Sequence, residues 1–106
     1  MKTITYHKLV RDKIPEIIEK DGKQCVCSIL SDEDYVLLLD RKLDEELKEY
    51  QESKSMEELA DLLEVMGAVA KARGSSIEEV EQTRREKAAR RGSFEKRILL
   101  LEVQEE

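Results

Sequence analysis

Apolar positions recur along this chain with helical spacing over most of its length. Val36, Leu39, Leu43, Leu47 and Tyr50 repeat at three and four residues, which predicts a helix of about five turns with one face turned inward. Ser31, with an acid three positions on at Asp34, has the form of a capping box that opens it. Ser55 and Glu58 form a second box before a helix starting near Met56, and from Leu59 to Ala72 only Asp61, Glu64 and Lys71 are polar. A segment apolar nearly all round predicts a buried helix, ending at Arg73-Gly74. Ser76 and Glu79 open a strongly charged helix over 77–90, which stops before Gly92. Nearer the start, Asp12 is the expected cap of a short helix with Pro15 in its first turn, running through Ile17 and Ile18 to Asp21-Gly22. Residues 3–10 alternate only loosely. The β-branched and thiol-rich stretch 24–30 predicts a strand, and 98–103 an edge strand or an apolar arm laid on a partner.

The expected fold is therefore mainly α: an antiparallel helix bundle with short extended segments near 24–30 and 98–103, in one domain over 1–106. There is no internal repeat, low-complexity tract or linker. A chain of 106 residues buries only a thin core, so a self-partner is expected. No apolar run reaches about 18 residues and no signal-peptide pattern is present, so the expected location is cytoplasmic. Cys25 and Cys27, in a C-x-C, are too close for an unstrained disulfide and too few for a zinc site; free thiols in a reducing compartment are expected.

Two positions break the apolar pattern. Glu46 falls on the line Leu39, Leu43, Tyr50, and Asp61 lies inside the apolar helix. An unpaired buried carboxylate is costly, so either the helical register differs from this line or something positive meets the acid. Each has an acidic companion three residues away on the same helical face, Glu49 and Glu58 respectively. Positions 46 and 61 sum to 107, as do 49 and 58. A hairpin centred near Ser53 would thus set Glu46 against Asp61 and Glu49 against Glu58, across helices about 8–10 Å apart.

Composition weakens the spacing argument, since 25 acids in 106 residues supply about six such pairs by chance. Glu58 also has an alternative role as the capping acid for Ser55, and Glu49 borders a solvated face with Asp44, Glu45, Lys48 and Glu52. The mirror symmetry, with two acids on apolar stripes, is what points to a four-carboxylate metal site of Glu46, Glu49, Glu58 and Asp61. All-oxygen ligands favour hard cations, Mg²⁺ or Mn²⁺ over zinc. Such an ion would hold a triphosphate, activate water and offset charge on leaving pyrophosphate. No nucleophilic Ser or Cys constellation and no glycine-framed phosphate loop is present.

The net charge of −6 conceals a +5 segment at 84–97, which leaves −11 on the rest. An acidic body argues against duplex nucleic acid as a partner, and the basic segment lacks the interleaved aromatics of a single-strand binder.

The pairs Glu46-x-x-Glu49 and Glu58-x-x-Asp61 resemble the ExxE…ExxD signature of the all-α nucleoside triphosphate pyrophosphohydrolases, the superfamily of MazG, dimeric dUTPases and phosphoribosyl-ATP pyrophosphohydrolase. The flanks Tyr6-His-Lys-Leu-Val-Arg-Asp-Lys-Ile-Pro15, Lys42-Leu-x-Glu-Glu-Leu, Glu57-Glu-Leu-Ala-Asp-Leu-Leu-Glu64 and Lys87-x-x-x-Arg-Gly-x-Phe94 resemble its small house-cleaning, MazG-like branch over nearly the whole chain. The resemblance implies a Mg²⁺-dependent hydrolase of acid anhydrides that cleaves the α–β bond of a nucleoside triphosphate. Glu46, Glu49, Glu58 and Asp61 would be its metal ligands, and Lys8, Arg11, Lys13, Lys87, Arg90 and Arg91 candidate phosphate contacts. It also implies a homodimer or homotetramer that completes the bundle. The competing expectation is a non-enzymatic helical adaptor that docks through its apolar tail and the basic 84–97 segment.

Overall fold

A computed structural model describes residues 2–105. Its regular structure is four helices: α1 (Ile14–Lys20), α2 (Asp32–Ser53), α3 (Met56–Ala72) and α4 (Ile77–Arg91). Three of them start as the sequence predicts. The hydroxyls of Ser31, Ser55 and Ser76 accept from the backbone N–H groups of Asp34, Glu58 and Glu79 at 3.1–3.3 Å, each satisfying a donor that the first turn leaves without a helical partner. α1 differs. Its cap is Lys13 and no side chain bonds to the first turn. Asp12 lies one position too far out, and Pro15 removes one of the donors that a cap would serve.

α2 and α3 form the centre of the molecule, an antiparallel hairpin closed by only Lys54 and Ser55. Lys54 takes the left-handed conformation (φ 60°) and donates its N–H to the Tyr50 carbonyl at 2.7 Å, ending α2 within one residue. At the open end, Arg73 donates to Asp40 at 3.0 Å. The antiparallel hairpin expected from the acid pairs is thereby observed. α4 packs on α3 alone, with Ile77 lying over Gly67.

The core is thin. Leu39, Val65 and Ala70 are its buried apolar residues among those described. α3 is not buried all round as expected: Leu59, Leu63 and Met66 remain exposed, because α2 covers one side of it and α4 meets it only in part. No strand forms among the described residues; 24–30 and 98–103 carry strand-forming side chains but no backbone partner. A strand is completed by its neighbour, so residue preference alone cannot make one. No helix is long and apolar enough to cross a membrane.

Candidate metal centre

The α2–α3 hairpin brings the four expected acids together. One carboxylate oxygen from each of Glu46, Glu58 and Asp61 lies within 4.8 Å of the others, and Glu45, Glu46 and Glu49 form a second such group that shares Glu46. Glu46 is buried at 6% exposure, while Glu45, Glu49, Glu58 and Asp61 are half-buried. The sequence left Glu58 with a competing duty as capping acid. The structure removes that duty: the Ser55 N–H donates to the Ser53 hydroxyl at 3.2 Å. Glu58 is thus free to turn its carboxylate toward Glu49 and Asp61.

The positive charge required by a buried Glu46 comes from its own helix. Lys42, one turn earlier, places Nζ 3.5 Å from Glu46 and 3.3 Å from Glu45. Sequence reasoning missed Lys42 and Glu45 as members of the site, although the i, i+4 spacing from Lys42 to Glu46 was a usable signal. A single lysine is insufficient for this many carboxylates. Oε2 of Glu46 and Oε2 of Glu58 are buried without a hydrogen-bond partner. Two orphaned carboxylate oxygens facing a group of further carboxylates are what a hard, oxygen-liking cation would satisfy, so the donor set fits Mg²⁺ or Mn²⁺.

The protonation equilibria carry the same strain. Burial first, then the close approach and charge of Glu49, raise the Glu46 pKa above its ordinary value; Lys42 opposes and Asp61 adds to the rise. Glu58 is also raised, by burial and then by the charges of Glu49 and Asp61. Glu46 and Glu58 therefore hold their protons more tightly than isolated carboxylates do.

Of the basic residues expected near phosphate, two reach the cluster. The Arg11 guanidinium bonds Asp61 at 2.7 Å, and Lys8 Nζ lies 3.6 Å from Glu45. Both come from the irregular stretch before α1, which the structure lays against the hairpin. Lys13, Lys87, Arg90 and Arg91 make no ion pair among the described residues. Lys87 lines a shallow surface groove with Glu79, Thr83 and Arg84; Arg90 and Arg91 are exposed in the last turn of α4. The two cysteines are free as expected. Burial and the neighbouring Cys27 sulfur, 3.9 Å away, push the Cys25 thiol pKa up, which makes it a weaker ligand and nucleophile.

Comparison with protein-family models finds no match, and no solved structure matches. A stretch of 42 residues, 40% of this chain, is 52% identical to an uncharacterized protein of Mycolicibacterium smegmatis. The aligned stretch spans 43% of that protein's length.

Proposed function

We propose that this protein is a metal-dependent nucleoside triphosphate pyrophosphohydrolase of the MazG-like kind, which turns a nucleoside triphosphate and water into a monophosphate and pyrophosphate. The observation that carries the reading is the pair of buried, unpartnered oxygens on Glu46 and Glu58, inside a group of acids supplied by both arms of one hairpin. Acids with a purely structural role are expected to find protein partners for their buried oxygens, and two left without one favour a cation.

Glu46, Glu49, Glu58 and Asp61 would hold Mg²⁺ or Mn²⁺, which supplies charge neutralisation for the polyphosphate and a more acidic water. The remaining work falls to the chain. One of the four carboxylates orients the attacking water and accepts its proton. Arg11 and Lys8, at the rim of the cluster, bind the phosphate oxygens and stabilise negative charge on the departing pyrophosphate. Lys42 stays within the protein, holding Glu45 and Glu46 in position. Chemistry of this type needs positioning and charge rather than a covalent nucleophile, in keeping with the raised Cys25 pKa. A house-cleaning role in the cytoplasm, on noncanonical nucleotides or phosphoribosyl-ATP-like substrates, follows from the sequence resemblance.

The test is pyrophosphate release from canonical and modified nucleoside triphosphates and phosphoribosyl-ATP, with Mg²⁺, Mn²⁺ or EDTA, beside Glu46→Gln. Metal-dependent release that the substitution abolishes supports the proposal. Release from no substrate, with no effect of divalent ions on the melting temperature, overturns it. The adaptor alternative has one observation in its favour: Phe94 and the apolar residues of 98–103 are exposed.

A further inference from the structure

The segment before α1 has little packing to hold it against the hairpin. Residues 2–10 make no backbone–backbone hydrogen bond among the described residues, and within 2–13 only Leu9 is even half-buried. α1, into which the segment leads, packs on none of the other helices. A stretch with so few apolar contacts and no backbone pairing belongs to the weakly held end of a structure. What ties it down is charge: the Arg11 guanidinium bonds Asp61 at 2.7 Å, and Lys8 Nζ lies 3.6 Å from Glu45.

Both partners belong to the acid cluster. Its carboxylates form two overlapping groups, Glu46 with Glu58 and Asp61, and Glu46 with Glu45 and Glu49. Arg11 takes a member of the first group, on α3, and Lys8 a member of the second, on α2. Three positions apart on one segment, the two cations thus tie it to both arms of the hairpin at the place where the acids converge.

We propose that residues 8–11 are a cation strap that competes with the divalent ion for these acids: ion binding frees the strap, and a closed strap weakens ion binding by the same factor. The inference rests on the proposed metal site and adds a control to it. Its cause is electrostatic. Two cations drawn to one carboxylate repel each other, and each reduces the attraction left for the other. Ion pairs as exposed as these shift an equilibrium by about fivefold or less. The strap is therefore weak enough for an ion to displace and strong enough to measure. Once released from Asp61 and Glu45, Arg11 and Lys8 have their donors available to phosphate, so the ion binds first and the strap then closes on the polyphosphate.

The rival reading makes Arg11 a positioning residue that holds Asp61 in place for the ion. The two readings differ in sign. Removing a competitor tightens ion binding, whereas removing a support loosens it.

Titration of the full chain with Mn²⁺, followed by electron paramagnetic resonance at low ionic strength, reads that sign. Arg11→Ala should bind Mn²⁺ about three- to fivefold more tightly than the parent, and Lys8→Ala about twofold. Lys13→Ala removes a charge from the same segment but no ion pair among the described residues, and should match the parent. All three variants should keep the parent's helical circular dichroism. Trypsin cleavage after Lys8 should quicken when Mn²⁺ is added to the parent and be fast from the start in Arg11→Ala. Equal or weaker binding by Arg11→Ala beside a parent that binds overturns the strap and leaves the metal site standing. So does a Lys13→Ala variant that tightens as much as Arg11→Ala, or cleavage that bound Mn²⁺ does not change. Mn²⁺ that binds neither the parent nor Arg11→Ala overturns the metal reading and the strap together.

Discussion

Replacing Glu46 by Gln separates a metal ligand from a structural acid. The side chain keeps its shape and loses its charge, so only electrostatics and ligation change. At an effective dielectric constant of about 20, attraction to Lys42 at 3.5 Å is worth about 4.7 kcal/mol to the ionised side chain, and repulsion from Asp61 at up to 4.8 Å about 3.5 kcal/mol. Glu49 and Glu58 add to the repulsive side, so the balance goes against the ionised form. Proton uptake already relieves part of this, and the gain on substitution is on the order of 1 kcal/mol, or about 4–8 °C in melting temperature for a domain of this size. Calorimetry should therefore show Glu46→Gln melting no lower than the parent. With a millimolar dissociation constant, 10 mM Mg²⁺ should stabilise the parent by about 1.4 kcal/mol and leave the variant unmoved. A variant that unfolds, or that keeps the full Mg²⁺ shift, refutes the reasoning, because the acid would then be structural or irrelevant to the ion.

The raised pKa values of Glu46 and Glu58 set a pH dependence. Each contributes stability that is complete below its ordinary value of 4.5 and is lost as the pH rises through its raised value. Thermal scans without metal should thus show the parent losing stability across this range relative to Glu46→Gln with Glu58→Gln, and Mg²⁺ should shift the parent more at the upper end. Glu81, lowered by Arg84, works in the opposite sense and cancels in the comparison. Arg11→Ala removes an exposed ion pair worth about 0–1 kcal/mol, so melting should hardly change while KM for the triphosphate rises; an unaltered KM would remove Arg11 from phosphate binding. Gly67 sits inside α3, and a Cβ there would meet Ile77 at an ordinary 3.8 Å. Gly67→Ala should accordingly stabilise by about 1 kcal/mol in denaturant titration, and a loss would mean α4 sits closer to α3 than described.

The hairpin was legible because its signals are local. Serine caps fix where α2, α3 and α4 start, periodicity fixes the inward faces, and two acids on those faces point to the candidate site. What escaped depends on partners. Lys42 was hidden because a lysine on a charged helix looks solvated until the chain opposite is known. The approach of Arg11 and Lys8 depends on where an irregular segment lies, which no periodicity encodes. The strand expected at 24–30, and the edge strand that was one of two expectations for 98–103, did not form because a strand is a property of two segments, and these have none beside them among the described residues. The exposed side of α3 has the same cause: its sequence describes a buried helix, while one chain supplies cover for only part of it.

The central claim is that Glu46, Glu49, Glu58 and Asp61 together hold a hard divalent cation, and titration with Mn²⁺ followed by electron paramagnetic resonance tests it without reference to any substrate. The account predicts saturable loss of the free-ion signal with the parent, displaced by Mg²⁺ and abolished in Glu46→Gln and Asp61→Asn while both variants retain their helical circular dichroism. Binding that is absent in the parent, or that persists undiminished in both variants, would contradict it.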